Sequence, residues 1–92
     1  MKITLTARFQ GEVRRLGQPE RLAALDAILG LPRAFASPHS HSGIGLRKLH
    51  RSGIWEIRVG LGLRILFGLE DDTAKLLLIG THDEVRRFLR EL

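Results

Sequence analysis

IWEIRVGLGLRILFGLEDDTAKLLLIG, from Ile54 to Gly80, decides how the rest of the chain is arranged. Trp55, Ile57 and Val59 alternate with Ile54, Glu56 and Arg58, the period-two pattern of a strand with one apolar face. Gly60-Leu61-Gly62 supplies a reversal, because glycine reaches backbone conformations closed to other residues. On the return strand Leu63, Ile65, Phe67 and Leu69 repeat the apolar face, while Arg64, Leu66 and Gly68 take the other. Glu70-Asp71-Asp72-Thr73 is a polar turn. Leu76 to Ile79 is apolar on both faces, so this third strand is central or covered on both sides. The stretch therefore reads as an antiparallel meander with one greasy face and one face carrying arginines.

Upstream, Ile3, Leu5 and Ala7 alternate with polar residues and predict a first strand that pairs into the same sheet, since an isolated strand leaves its ladder unpaired. Phe9, Val13 and Leu16 fit a short helix ended by Gly17. Pro19 suits the first turn of a second helix, whose stripe of Leu22, Leu25, Ile28 and Leu29 runs to Gly30, a natural stop. Leu31 to Gly45, with two prolines, three serines, His39 and His41, reads as a loop. Downstream, Thr81-His82-Asp83-Glu84 has the form of a capping box and opens a helix that buries Val85, Phe88 and Leu89. The expected fold is α+β: an antiparallel sheet made of the N-terminal strand and the C-terminal meander, one or two N-terminal helices packed on one face, and a short C-terminal helix. That arrangement places the helices together on one sheet face.

Composition bounds the function. Ninety-two residues with 43% hydrophobic content make one domain, 1–92, with one small core. Without cysteine there is no disulfide, thiolate metal site or cysteine nucleophile. No apolar run is long enough to cross a bilayer, so a cytoplasmic protein with no membrane role is expected. A net charge of +5 favours polyanionic partners, although basic residues also serve solubility alone. His39 and His41 lack a third ligand at useful spacing, and no metal or other cofactor is expected. Trp55 and Phe88 fall on apolar stripes and read as core rather than as stacking platforms for bases.

The residues from Leu46 to Leu89, LRKLHRSGIWEIRVGLGLRILFGLEDDTAKLLLIGTHDEVRRFL, resemble the C-terminal half of the RelE/ParE toxin superfamily. The likeness lies in a short Lys/Leu segment before a strand ending in an "LRV"-like sequence, an arginine opening an "RILF"-like strand, and a histidine after the last strand. It implies the toxin of a type II toxin–antitoxin system, neutralised in a hetero-oligomer by a cognate antitoxin. In the RelE branch the implied activity is metal-independent cleavage of messenger RNA, usually on the ribosome, which inhibits translation. In the ParE branch it is inhibition of DNA gyrase, and an inactive basic protein-binding subunit is the third reading. Two departures bear on this. The chain has no tyrosine, a residue many RelE-like nucleases use near the C-terminus, and Glu56 stands near a position where RelE often has lysine. Against ParE, the helical region before the loop is short where ParE proteins have a long helical hairpin.

RNA cleavage without a metal needs a base for the 2′-hydroxyl, an acid for the departing 5′-oxygen and cations beside the phosphorus. Arg58 and Arg64 lie on adjacent strands on the polar face and are expected to converge on a phosphate; a cross-strand pair with Glu56 is the structural alternative. Arg64 interrupts an apolar strand on that face, so its truncation is expected to cost little stability. His82 sits in the first turn of a capped helix, where the dipole disfavours the imidazolium form and leaves a base, unless it only covers the helix end. His50 is the next catalytic candidate. Its neighbours Lys48, Arg47 and Arg51, with Arg86 on the last helix, are the candidate RNA-binding cations, although a basic solvated turn explains the run equally well. An antitoxin is expected to cover the arginine face with acidic residues.

Overall fold

A computed structural model describes residues 1–36, 45–50 and 53–92, with His50 described by its backbone alone. In chain order the elements are β1 (Lys2–Leu5), α1 (Ala7–Arg14), α2 (Gln18–Ala36), β2 (Arg47–His50), β3 (Ile54–Val59), β4 (Leu63–Glu70), β5 (Thr73–Gly80) and α3 (His82–Arg90). They form one five-stranded sheet in the order β1-β5-β4-β3-β2. The meander β3-β4-β5 is antiparallel, as its alternation requires, and β5 is interior, as its two apolar faces require. Its second turn is a two-residue hairpin loop: Asp71 and Asp72 both have positive φ, 50° and 59°, the twist that suits flanking right-twisted strands. β1 adds beside β5 in parallel, which makes the sheet mixed.

α1 and α2 cover one face. Phe9, Ala24, Leu31 and Ala34 pack there against Ile57, Val59, Ile65, Phe67, Ala74, Leu76 and Ile79. Burying a large apolar side chain is worth about 1.5–3 kcal/mol, so this layer dominates stability. α3 departs from the expectation of helices on a single face. Val85, Phe88 and Leu89 pack with Leu66, Leu78, Ile54 and Leu49 on the opposite side. The reason is local: Leu66 and Leu78 point away from the main core, and an uncovered face of that size would waste apolar burial.

Two further expectations are corrected. α2 does not stop at Gly30; it runs through Pro32 to Ala36, so residues 31–36 are helix and not loop. Leu31 is fully buried, and the Phe35 ring lies edge-on to Trp55 at 5.0 Å and to Phe67 at 6.2 Å. Those contacts outweigh the propensity cost of Gly30 and Pro32, and Pro32 itself faces solvent. Arg47–His50, read as a basic segment or turn, is an edge strand antiparallel to β3 with an irregularity between Lys48 and His50. Charged side chains on so short an edge discourage further pairing.

Candidate nucleic-acid interface

The hairpin joining β3 and β4 closes over Gly60-Leu61-Gly62, with Gly60 at φ 58°. That loop fixes a register in which Arg58 directly faces Arg64, and the pairing of β4 with β5 sets Gly80 across from Arg64. One row across the sheet therefore reads Arg58, Arg64, Gly80, spanning about 10 Å at the usual strand spacing. His82 follows Gly80 by two residues. The adjacent row on the same face is Arg47, Glu56, Leu66, Leu78. Both rows belong to the face that carries α3.

Glu56 is the one buried charged residue among those described, 5% exposed. Arg64 Nη1 donates to its Oε2 at 3.2 Å, and Arg47 Nε lies 3.4 Å from the same oxygen. A buried carboxylate demands such partners, because desolvation without them costs several kcal/mol. The cross-strand alternative thus holds for Arg64. It does not remove the arginine from the surface: the Arg64 side chain remains 26% exposed, and one hydrogen bond leaves most of its five donors free. Glu56 accordingly orients a guanidinium whose outer edge faces solvent. Arg58 is exposed and has no ion pair among the described residues. Gly45, at φ 70°, packs over it so closely that a Cβ there would lie 2.8 Å from Arg58 Cβ. Only glycine meets both demands.

His82 opens α3 behind a complete capping box. Thr81 N donates to Glu84 Oε1 at 2.9 Å and Glu84 N donates to Thr81 Oγ1 at 3.2 Å. Gly80 makes room for this, since a Cβ there would meet Glu84 Oε1 at 3.0 Å. The hydrogen bond from the Thr81 backbone holds the Glu84 carboxyl below its usual range, helped by the Thr81 side chain and by Arg87 and Arg8. The end of β5 is tied to α1 as well: Ile79 N donates to Glu12 Oε1 at 3.1 Å, Arg8 Nε donates to Glu12 Oε2 at 3.1 Å, and the Arg8 guanidinium lies 5.3 Å from the Phe88 ring centre. This chain of contacts sets where α3, and hence His82, meets the sheet.

The structure brings Arg58, Arg64 and His82 to one end of one face. Arg86 lies four residues after His82, on the same side of α3, and is exposed. Arg47 joins them through Glu56. Lys48 pairs with Trp55 and so takes the opposite sheet face. His50 contributes its backbone to β2, opposite Ile54, while its side chain, like Arg51, His39 and His41, lies outside the described residues. Glu56, read from the sequence as an ion-pair alternative and as a carboxylate near a position where RelE often has lysine, holds Arg64 and Arg47 in the structure; a lone carboxylate between strand arginines was the signal. Trp55 and Phe88 are core residues, as their stripes imply.

No family model and no curated protein matches the chain by sequence. Solved structures do match. A RelE in the RelE–RelB complex from Pyrococcus horikoshii superposes with a TM-score of 0.67 at 14% identity, over 87% of this chain and 92% of that one. The chain has the RelE-like fold. A YoeB/ParE toxin from Agrobacterium tumefaciens matches with a TM-score of 0.66 at 18% identity, over 89% and 99% of the two chains. The toxin–antitoxin RelBE complex from Escherichia coli gives 0.62 at 17%, over 87% and 94%. On this RelE-like fold α3 crosses the second face of the sheet and leaves the arginine row open beside its N-terminus. No helix among the described residues is long and apolar enough to cross a membrane.

Proposed function

We propose that this protein is the toxin of a type II toxin–antitoxin system and that it cleaves messenger RNA, on the ribosome, without a metal. The observation that carries the reading is the row Arg58, Arg64, Gly80 with His82 beside it, on a RelE-like fold. In the proposed reaction the 2′-hydroxyl loses its proton to a base and attacks the adjacent phosphorus. The bond to the 5′-oxygen breaks as that oxygen takes a proton, which leaves a 2′,3′-cyclic phosphate and a 5′-hydroxyl. Arg64, oriented by Glu56, and Arg58 hold the phosphate while its charge grows. His82 exchanges the proton, with His50 as the second candidate. Arg47 and Arg86, with Arg51 as a further candidate, grip the flanking backbone, whereas Lys48, on the opposite sheet face, drops out of that set. The partner is a cognate antitoxin, and the protein acts in the cytoplasm.

Purified protein with chelator present should cut ribosome-bound messenger RNA in a single-turnover assay. His82→Gln should slow that step by about two to four orders of magnitude. An unchanged rate would return His82 to a capping role, and no cleavage by the unaltered protein would end the nuclease reading. Gyrase inhibition is the second reading, and one observation favours it. α2 extends over 19 residues, Gln18–Ala36, so the helical pair is longer than the sequence implied and its length no longer argues against a ParE-type toxin. Supercoiling by gyrase, assayed beside RNA cleavage, separates the two.

A further inference from the structure

We infer that Glu12, acting through Arg8 and Phe88, is a positioning residue that sets the rotation of α3 and with it the reach of His82, an inference that rests on the nuclease reading. β1 accompanies β5 only as far as the pair Leu5 and Leu76. Beyond that point the N-cap and body of α1 supply the partners that a strand would have given. Thr6 N and Thr6 Oγ1 donate to Leu76 O at 3.2 and 2.9 Å, and the Glu12 carboxylate accepts from Ile79 N on Oε1 at 3.1 Å. Its other oxygen, Oε2, accepts from Arg8 Nε at 3.1 Å. That guanidinium lies 5.3 Å from the centre of the Phe88 ring, within the range of a cation–π contact. One carboxylate therefore holds the end of β5 directly and α3 through an arginine.

Local helix rules do not account for these charges. Arg8 stands in the first turn of α1, where the dipole disfavours a cation and no acidic residue offsets it. An arginine four residues before a glutamate is also the weaker order for such a pair. The arrangement makes sense as a tertiary link. On α3, at about 100° per residue, Phe88 and His82 fall roughly 120° apart, on either side of Val85, which packs onto the sheet. Holding Phe88 thus fixes the turn of the helix about its own axis. A helix with its side chains is about 10–12 Å across, so a rotation of about 10° carries His82 roughly 1 Å. A displacement of that size costs up to about a hundredfold in rate. Arg8 also helps to hold the Glu84 carboxyl below its usual range, so the same guanidinium acts on the cap of α3 as well as on Phe88.

Two variants and their double test it on the full chain. Glu12→Gln keeps an acceptor for Ile79 N but turns a donor towards Arg8, and Arg8→Met keeps the stem and removes the guanidinium. Each should slow single-turnover cleavage of ribosome-bound messenger RNA by about tenfold. RNA affinity should stay within about twofold, since both changes are screened single charges. The double should be no slower than either single, because both cut one chain of contacts. In two-dimensional NMR of the free proteins, both should move the His82 ring resonances and the amides of residues 81–84 in the same direction. A charge effect would act with opposite sign, because one variant removes a negative charge and the other a positive one. Opposite changes in rate would overturn the positioning role, as would unchanged rates, multiplied losses in the double, or a loss carried wholly by RNA affinity. If the unaltered protein cuts no RNA, the nuclease reading falls and NMR alone decides: a shared displacement of His82 upholds the positioning, and unmoved resonances overturn it.

Discussion

Arg64→Ala is expected to destabilise the protein by about 2 kcal/mol, against the sequence expectation that a polar-face arginine can be removed at little cost. Glu56 is 5% exposed and receives its nearest donor, at 3.2 Å, from Arg64. A hydrogen bond to a charged group is worth about 1.5–3 kcal/mol, and losing it leaves a buried carboxylate short of a partner. Arg47 stays at 3.4 Å, but its side chain is 62% exposed, so water screens it and its compensation is below about 1 kcal/mol. For a domain of this size the loss lowers Tm by roughly 10 °C. Urea unfolding of four proteins measures it: unaltered, Arg64→Ala, Glu56→Gln and the double variant. If the orphaned charge is the cause, Glu56→Gln in the Arg64→Ala background recovers stability and the cycle gives a coupling of about 1 kcal/mol or more. Arg64→Lys should restore part of the stability and little of the cleavage, because an ammonium keeps the charge without the planar fork. Additive effects, or an Arg64→Ala cost below about 0.5 kcal/mol, would refute Glu56 as the anchor of Arg64.

Other consequences follow from the same site. Thr81→Ala removes the N-cap acceptor of α3 and should cost about 1 kcal/mol in thermal or urea unfolding. Glu84 has a lowered pKa in the folded protein, so its contribution is present above the unfolded value and is lost as pH falls through the depressed folded one. The acid limb of a stability–pH profile should therefore be shallower in Glu84→Gln than in the unaltered protein. Gly45→Ala should destabilise and weaken RNA binding together, because the new Cβ strains a φ of 70° and displaces Arg58; an unchanged salt slope of binding would separate Gly45 from that arginine. Antitoxin affinity should fall with salt and with Arg58→Ala if acidic residues cover the arginine row. A flat salt series would instead favour docking on the exposed leucines of α2, of which Leu29 is 76% exposed.

The meander was legible because every signal in it agrees. Alternation and glycine reversal specify the register that sets Arg58 opposite Arg64. Gly80, by contrast, comes opposite Arg64 only through an irregularity between Leu66 and Phe67 that shifts the β4–β5 pairing by one residue from the register of the polar turn, a non-local feature that the alternation does not announce. The capping box was legible for the same reason, since Thr81 and Glu84 satisfy each other locally. The last six residues of α2 were not, because Gly30 and Pro32 are stop signals whose local cost is overcome by Leu31, Ala34 and Phe35 meeting a sheet far along the chain. β2 escaped notice because four residues rich in charge have no periodic pattern of their own. Its strand state comes from the open edge of β3.

The face on which α3 packs was hidden by the same non-local logic, and it carries the functional consequence. Apolar content in β5 announces two covered faces but not which helix covers which. Once Leu66 and Leu78 turn towards α3, the helix must lie over the middle of the second face, and its N-terminus must begin at the end of β5. The Arg58, Arg64, Gly80 row is then the part of that face nearest to where α3 starts. Glu56 and Leu66 occupy the next row, where burial begins. A buried carboxylate at this boundary is expensive as packing, because an apolar residue of similar size would fill the site without desolvating a charge. Its retention makes physical sense if its task is to hold a guanidinium at the border between core and solvent. The pair therefore links the stability of the second face to the chemistry proposed for its rim.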